Sequence, residues 1–152
     1  MTVTRDQIVA ETGFRIGSVL ADAGIQIADS AGNLKEPIDD TFRRGYAVAI
    51  DDLATETLDD SDFDGVLALT IYHALKSALV RVSTRFDLTD AGDSYRLGQV
   101  VKQIETLLKL YESDVIRIFG SIPTGVTASN GGIVVLDMDY LDTTMITTDT
   151  IG

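Results

Sequence analysis

The chain has 152 residues, of which 45% are hydrophobic and 24% are charged, the usual balance of a globular domain with a single core. It contains no cysteine, which excludes disulfides, thiolate metal sites and cysteine nucleophiles. Twelve Lys and Arg side chains oppose twenty-four Asp and Glu side chains, for a formal charge of −12. That sign argues against binding to a phosphate backbone, whose affinity comes from basic side chains.

The acidic side chains are unevenly distributed along the chain. Residues 1–60 carry five basic and twelve acidic side chains, residues 61–120 carry seven and eight, and residues 121–152 carry four acidic side chains and no basic one. A solvated surface is the simplest explanation. The functional alternative is a surface that repels nucleic acid or docks on a basic partner.

The first six residues lack the basic segment and apolar core of a signal peptide. No apolar run approaches the roughly 20 residues that a membrane span requires. We therefore expect a protein made in the cytoplasm, without a membrane segment.

The N-terminal part predicts one helix followed by a loop. Thr4 and Gln7 match a capping box, which predicts a helix over residues 5–12 that continues loosely toward Leu20. Gly13 and Gly17 weaken that continuation. Val3 and Ile8 are placed as a hydrophobic staple at the start of the helix. Residues 23–35 contain a turn cluster and indicate a loop or a short hairpin.

A further helix is predicted over residues 38–53. Pro37 suits a first helical turn, and four apolar side chains recur at spacings of four: Ile38, Phe42, Tyr46 and Ile50. Residues 55–60 are acidic and polar and are predicted to be a linker.

The strongest pattern is a pair of amphipathic segments, 61–86 and 94–119, with apolar steps of three and four over more than six turns. Each is a helix of about 39 Å. The connection 87–93 is short, so the two helices must fold back and bury their facing stripes. We predict a mainly α fold: an antiparallel helical hairpin with one or two additional N-terminal helices and an extended C-terminal strand or tail.

The chain changes character after Gly120, so we expect a helical domain over residues 1–120 and a Gly- and Thr-rich arm over 121–152. Within the arm, residues 133–141 alternate as a strand does. A single strand needs a partner, either within the fold or in another chain. The predicted partner-binding side chains are Ile133, Val135, Asp137, Asp139 and Tyr140.

Residues 60–65 spell D-x-D-x-D-G, the opening of a calcium-binding loop. The twelfth position, which should hold a bidentate Glu, is Ile71, and the apolar stripe already begins at Phe63. Acidic residues at a helix start, with Asp60 or Ser61 as the cap, explain the pattern better.

No other pattern indicates catalysis or a cofactor. Asp137 and Asp139 share one strand face, a spacing also found in metal-dependent sugar transfer, but an exposed strand face is the better explanation. His73 is the only histidine and lies beside the apolar stripe of its helix, at a boundary position. The chain contains neither phosphate-binding glycine motif, so we expect no enzyme activity, no metal and no cofactor.

Three stretches of the long helices resemble the central hairpin of head–tail connector, or adaptor, proteins of long-tailed bacteriophages. They are 72–82, 85–88 and 92–100. In that family the first helix ends in an Arg-Phe-Asp corner, and a Gly-x-Ser-Tyr turn opens a second helix with a Gln near its start. The matching residues are Arg85, Phe86, Asp87, Gly92, Ser94, Tyr95 and Gln99.

The resemblance implies a structural virion protein that forms a homo-oligomeric ring at the neck, under the portal protein. Such rings extend the DNA channel and receive the tail, a stopper or a tail-completion protein. DNA passes through without sequence-specific binding. The candidates for an acidic channel or docking surface are Asp39, Asp40, Asp51 and Asp52.

The alternative is a helical protein-binding module that docks a partner by strand addition and is not part of a virion. A calcium-dependent domain or enzyme built on residues 60–64 is a third, weaker hypothesis.

Overall fold

The computed structural model of the chain describes residues 2–86 and 91–124. Within these ranges the protein is mainly helical, as predicted. Its elements are β1 (Thr2–Val3), α1 (Arg5–Asp22), α2 (Lys35–Asp40), β2 (Leu58–Asp59), α3 (Phe63–Phe86) and α4 (Ala91–Phe119). The predicted strand and arm lie outside the described residues, and with them the partner-binding candidates Ile133, Val135, Asp137, Asp139 and Tyr140.

Helix α1 begins with the predicted capping box. The backbone N–H of Gln7 donates to the Thr4 hydroxyl over 3.3 Å, and the Thr4 N–H donates to the Gln7 side chain over 2.8 Å. The helix continues past Thr12 to Asp22, two residues beyond the predicted loose continuation toward Leu20. Its backbone is distorted at Ile16 (φ −133°, ψ 17°), between the two glycines that predicted a weakened continuation.

The predicted helix over residues 38–53 is wrong in its second half. Helix α2 ends at Asp40 and passes into a π-helical turn, Thr41–Gly45. The chain then leaves the helix through Ala47, whose φ is 56°, and Ile50 is 73% exposed. A strict spacing of four advances about 40° around an α-helix at each step, so the fourth member of such a row no longer faces the core.

The predicted linker 55–60 contains a short strand. β2 pairs antiparallel with β1, with Thr2 opposite Asp59 and Val3 opposite Leu58. Val3 is buried in the same core as Ile8, so the apolar pair predicted as a staple does close the start of α1. This pairing fixes the N-terminus against the segment that leads into α3.

Helices α3 and α4 pack along one another. Gly65 at the start of α3 lies against Ile118 and Phe119 at the end of α4, so the two helices run in opposite directions. Their contact continues into the main core, whose buried members on the two helices include Val66, Leu67, Ile71, Leu75, Val82, Leu97 and Ile104. Helix α1 and the α2 segment cover α3 on its other sides.

Helix α3 is long and apolar enough, by length and composition alone, to cross a membrane, with a mean hydropathy of 1.3 over its most apolar window. However, 67% of that window is buried inside the protein. This is the behaviour of a core helix, which is apolar because protein covers it on nearly all sides.

The close approach of α3 and α4 predicts a large effect at Gly65. A Cβ at this position would meet the Tyr46 hydroxyl, Ile118 and Phe119, so Gly65→Ala should destabilise the protein by about 1–3 kcal/mol. Denaturant unfolding followed by circular dichroism measures the change.

Gly17→Ala is the matched control. A Cβ there would meet only ordinary contacts with Ile27, at 3.8 Å and beyond, within a helix that prefers Ala to Gly. This variant should be neutral or more stable, and equal losses in the two variants would contradict the close packing at Gly65.

Candidate functional site

The most distinctive surface is an acidic segment, residues 51–64, which joins the N-terminal part to α3. It carries seven carboxylates and no basic side chain. Six of the seven are on exposed residues: Asp51, Asp52, Glu56, Asp59, Asp60 and Asp64. Because α3 begins here, the segment lies at the end of the α3–α4 pair where α4 finishes.

The four predicted acidic residues do not form one surface. Asp51 and Asp52 are exposed in the acidic segment. Asp39 forms ion pairs with Arg5 and Lys35, at 2.8 Å each, and is only 15% exposed. Asp40 lines a separate groove. The structure therefore leaves Asp51 and Asp52 as the pair whose charge is available to solvent, while Asp39 is neutralised by its neighbours.

Arg5 is the centre of the ion cluster that holds Asp39. Its guanidinium donates to both carboxylate oxygens of Asp29, at 2.6 and 2.7 Å, to Asp39 at 2.8 Å and to the Leu53 carbonyl at 2.9 Å. It also lies over the Phe42 ring, 5.7 Å from the centroid. The hydrogen bond with Asp29 raises the pKa of Arg5, and the same bond lowers the pKa of Asp29. Arg5 thus joins four separate parts of the chain.

A mixed groove of about 540 Å³ surrounds the one histidine. Asp40, Arg44, Lys76 and Tyr72 line it beside His73, and the Lys76 ammonium lies 5.4 Å from the centre of the Tyr72 ring. The His73 Nε2 atom is buried and has no hydrogen-bond partner among the described residues. Burial lowers the pKa of His73 to about 4, against a smaller opposite effect of Asp40, so the imidazole is neutral at pH 7. The predicted boundary position of His73 is confirmed.

A second groove, here called the arginine groove, lies on the other side of residues 122–124. It is lined by Arg43, Arg44, residues 47–50 and residues 121–124, with a volume of about 460 Å³. No carboxylate lines it in the part of the chain that the structure describes. Ile122 also packs into a second apolar cluster with Leu69 and Val115, so this wall of the groove is anchored to α3 and α4.

The D-x-D-x-D-G motif does not form a calcium loop in this structure. Asp60–Asp62 is a turn of 3₁₀ helix, α3 begins at Phe63, and Gly65 is helical rather than the corner of a turn. Neither Asp60 nor Ser61 caps α3 with its side chain, so that detail of the prediction is wrong. Within residues 2–86 and 91–124, no three His, Asp or Glu side chains come together as a metal site.

Sequence patterns did not reveal the arginines that organise these surfaces. Arg81 donates to the carbonyls of Gly24 and Gly32, at 2.8 and 2.6 Å, and Arg85 donates to the Asp22 carbonyl at 3.3 Å. Both hold the loop after α1 against α3. The partners are backbone carbonyls 49 to 63 residues away, which no local pattern encodes.

No protein-family model, curated protein or solved structure matches this chain. The resemblance to phage connector proteins stays a prediction, and the residues on which it rests lie on the two central helices. Residues 72–82 and 85–86 belong to α3 and residues 92–100 to α4. The remaining two residues of the corner, Asp87 and Leu88, lie outside the described residues.

Arg5→Lys tests the ion cluster. A lysine keeps the charge but cannot donate to both carboxylates and the carbonyl at once, so we expect a loss of about 2 kcal/mol, allowing for the partial exposure of Asp29. Arg15→Lys makes the same change at the exposed Arg15–Glu11 pair and should alter stability by no more than about 0.5 kcal/mol. Urea unfolding of both variants measures the difference, and equal effects would contradict the role of Arg5.

His73 predicts a pH dependence of stability. Its folded pKa of about 4 lies below the usual 6.5, so in this window the unfolded chain takes up a proton that the folded protein does not. Stability should be complete above about pH 6.5 and fall by about 3 kcal/mol as the pH decreases to 4. Denaturant unfolding at a series of pH values measures it.

His73→Gln should remove this slope. Asp29→Asn is the control, because the pKa of Asp29 is lowered and its contribution is lost only as the pH falls below the usual range of aspartate. An unchanged slope between pH 6.5 and 4 in His73→Gln would contradict the burial of a neutral imidazole.

Proposed function

We propose that this protein is a non-enzymatic structural component of a phage particle, a ring-forming adaptor that joins the portal to the tail or neck. The observation that carries the proposal is the position of the residues on which the resemblance rests. They lie on α3 and α4, the two helices that pack together at the centre of the protein. The likeness therefore concerns the scaffold of the fold, and surface details contribute little to it.

In this proposal α3 and α4 form an antiparallel helical hairpin that is the rigid body of each subunit. The hairpin is supported by the contact of Gly65 with the end of α4 and by the apolar seam between the helices. The C-terminal arm extends from the same end, because α4 finishes at Phe119 and Gly120 (φ 86°) ends the helix. The hairpin then determines the shape of the subunit, and the arm makes contacts with other chains.

The acidic segment suits a surface that faces DNA without binding it. Its exposed carboxylates, Asp51 and Asp52 among them, have no basic side chain between them in the sequence. Copies arranged in a ring would multiply this charge around the channel, and carboxylates repel phosphates. DNA would pass through without adhering to the wall.

Exposed apolar side chains offer surface for contacts between subunits. Phe14 on α1 is 84% exposed, Tyr95 on α4 is 74% exposed and Leu110 is 56% exposed. In a ring, contacts with neighbouring chains would cover such side chains. In the adaptor proposal these contacts are lateral, between neighbouring copies, or axial, with the portal, stopper or tail-completion protein.

The test is assembly of the full chain. Mass photometry of the purified protein, alone and with the portal protein of the same genome, should give a discrete species at a multiple of 16.4 kDa or a complex with the portal. Negative-stain images of that species should show rings. A portal from an unrelated phage is the control and should not recruit the protein.

A monomer that ignores the portal would overturn the adaptor proposal. It would favour the second candidate, a helical module that docks a partner outside a virion by strand addition. That candidate rests on the strand predicted over residues 133–141, which lies outside the described residues.

A further inference from the structure

The arginine groove has the features of a docking site for an extended, acidic segment of chain. Arg43 and Arg44 are exposed at its rim, and neither has an ion-pair partner among the described residues. Ile50, 73% exposed, and the partly buried Ile122 give the groove apolar surface. An occupant that alternates apolar and acidic side chains would match both features.

One wall of the groove also offers backbone N–H donors. Ala47, at φ 56°, turns the chain out of the π-helical turn, and Ala49 precedes the 3₁₀ helix Ile50–Asp52. Among the hydrogen bonds of the described residues, none uses the N–H of Ala49 or of Ile50, whereas their carbonyls accept from Asp52 and Leu53. The wall therefore offers two N–H donors to an acceptor on the occupant.

The chain itself contains a segment of the matching chemistry. Residues 125–152 carry four carboxylates and no Lys or Arg. Residues 133–136 are all apolar, and in residues 137–140 Asp137 and Asp139 alternate with Met138 and Tyr140. We propose that the arginine groove of one copy binds the C-terminal segment of a neighbouring copy, with Asp137 and Asp139 facing Arg43 and Arg44 and the apolar residues 133–136 against the apolar surface of the groove. This inference rests on the proposed ring.

Two features indicate that the bound segment comes from a neighbouring copy: the position at which the segment starts and the two complementary surfaces that a ring requires. Thr124, the last described residue, lines the groove, so the segment that follows it starts at the edge of the groove. Residues 125–132 span up to about 27 Å when extended, enough to reach an adjacent subunit. A head-to-tail ring requires two different complementary surfaces on each subunit, and the groove and the segment supply them.

A photo-crosslinker at position 50 tests the contact directly. Benzoylphenylalanine in place of Ile50, which is exposed, should on irradiation give a covalent dimer on a denaturing gel, with the crosslink mapped by mass spectrometry to residues 125–152. The control places the same crosslinker at Phe14, which is exposed and does not line the groove, and should not label this segment. Crosslinks to the same copy, to another segment, or no crosslink at all would overturn the proposal.

Charge exchange separates a neighbour's segment from the chain's own. Arg43→Glu with Arg44→Glu in one protein, or Asp137→Lys with Asp139→Lys in another, should each lower the crosslinked yield about tenfold. Mixing the two proteins should restore it, because each groove then meets a segment of opposite charge. If the mixture gave no dimer, and the protein with all four changes instead gave an intrachain crosslink between position 50 and residues 125–152, the proposal would be overturned, because each groove would then bind its own segment.

Arg117→Glu reverses a charge that is exposed and outside the groove, and it should leave the yield unchanged. Rings seen by negative stain without this crosslink would overturn the groove assignment and leave the adaptor proposal standing. If the crosslink formed in small oligomers that neither form rings nor bind the portal, the groove assignment would stand and the adaptor proposal would be overturned.

Discussion

The fold depends on the burial of one helix on nearly all of its sides. From Gly65 to Tyr72 every residue of α3 is buried. Such a helix is stable only if other elements cover each of its faces, and α4, α1 and the α2 segment do so. The polar group inside this region is satisfied, since the Thr70 hydroxyl donates to Thr41 at 3.0 Å and Thr41 donates to the Pro37 carbonyl at 2.9 Å. The π-helical turn is therefore bonded to α3 as well as packed on it.

Arginines hold the parts that lack regular structure. The loop between α1 and α2 buries Ile25 and Leu34 in the core, and its backbone is held further by Arg81 from α3 and by Arg5 through Asp29. Each guanidinium has several donors in a fixed plane, so one side chain satisfies carbonyls or carboxylates from separate segments. Arg85 also lies at the C-terminal end of α1, where a cation complements the helix dipole. The chain is acidic overall, but Arg5, Arg81 and Arg85 have structural roles that lysine would fill poorly.

The sequence predicted what local periodicity and capping encode. The steps of three and four in α3 and α4 and the Thr4–Gln7 box gave the long helices and the start of α1 nearly at their observed bounds. The helix predicted over 38–53 was wrong, because a spacing of four fits a π-helical turn as well as a drifting α-helix, and the positive φ of Ala47 is invisible in the sequence. The β1–β2 pair and the Arg5 cluster were missed because their partners are far apart in the chain and each contributes only one or two residues. The sequence could not separate the four acidic candidates for the same reason. Only the fold shows that Asp39 is paired and that Asp51, among the described residues, is not.

The uneven distribution of acidic and basic side chains along the chain connects the fold with the proposed role. The acidic segment and the arginine groove lie close together in the chain, separated at Ile50, which also borders the groove that Arg5 and Asp39 line. Ala47, at φ 56°, and the 3₁₀ helix Ile50–Asp52 lie between the two in the chain. The protein thus presents exposed arginines and exposed carboxylates on either side of this turn. In the proposed ring, one acidic partner would satisfy the arginines, and the exposed carboxylates of residues 51–64 would stay available to the channel, which a uniformly acidic surface would not allow.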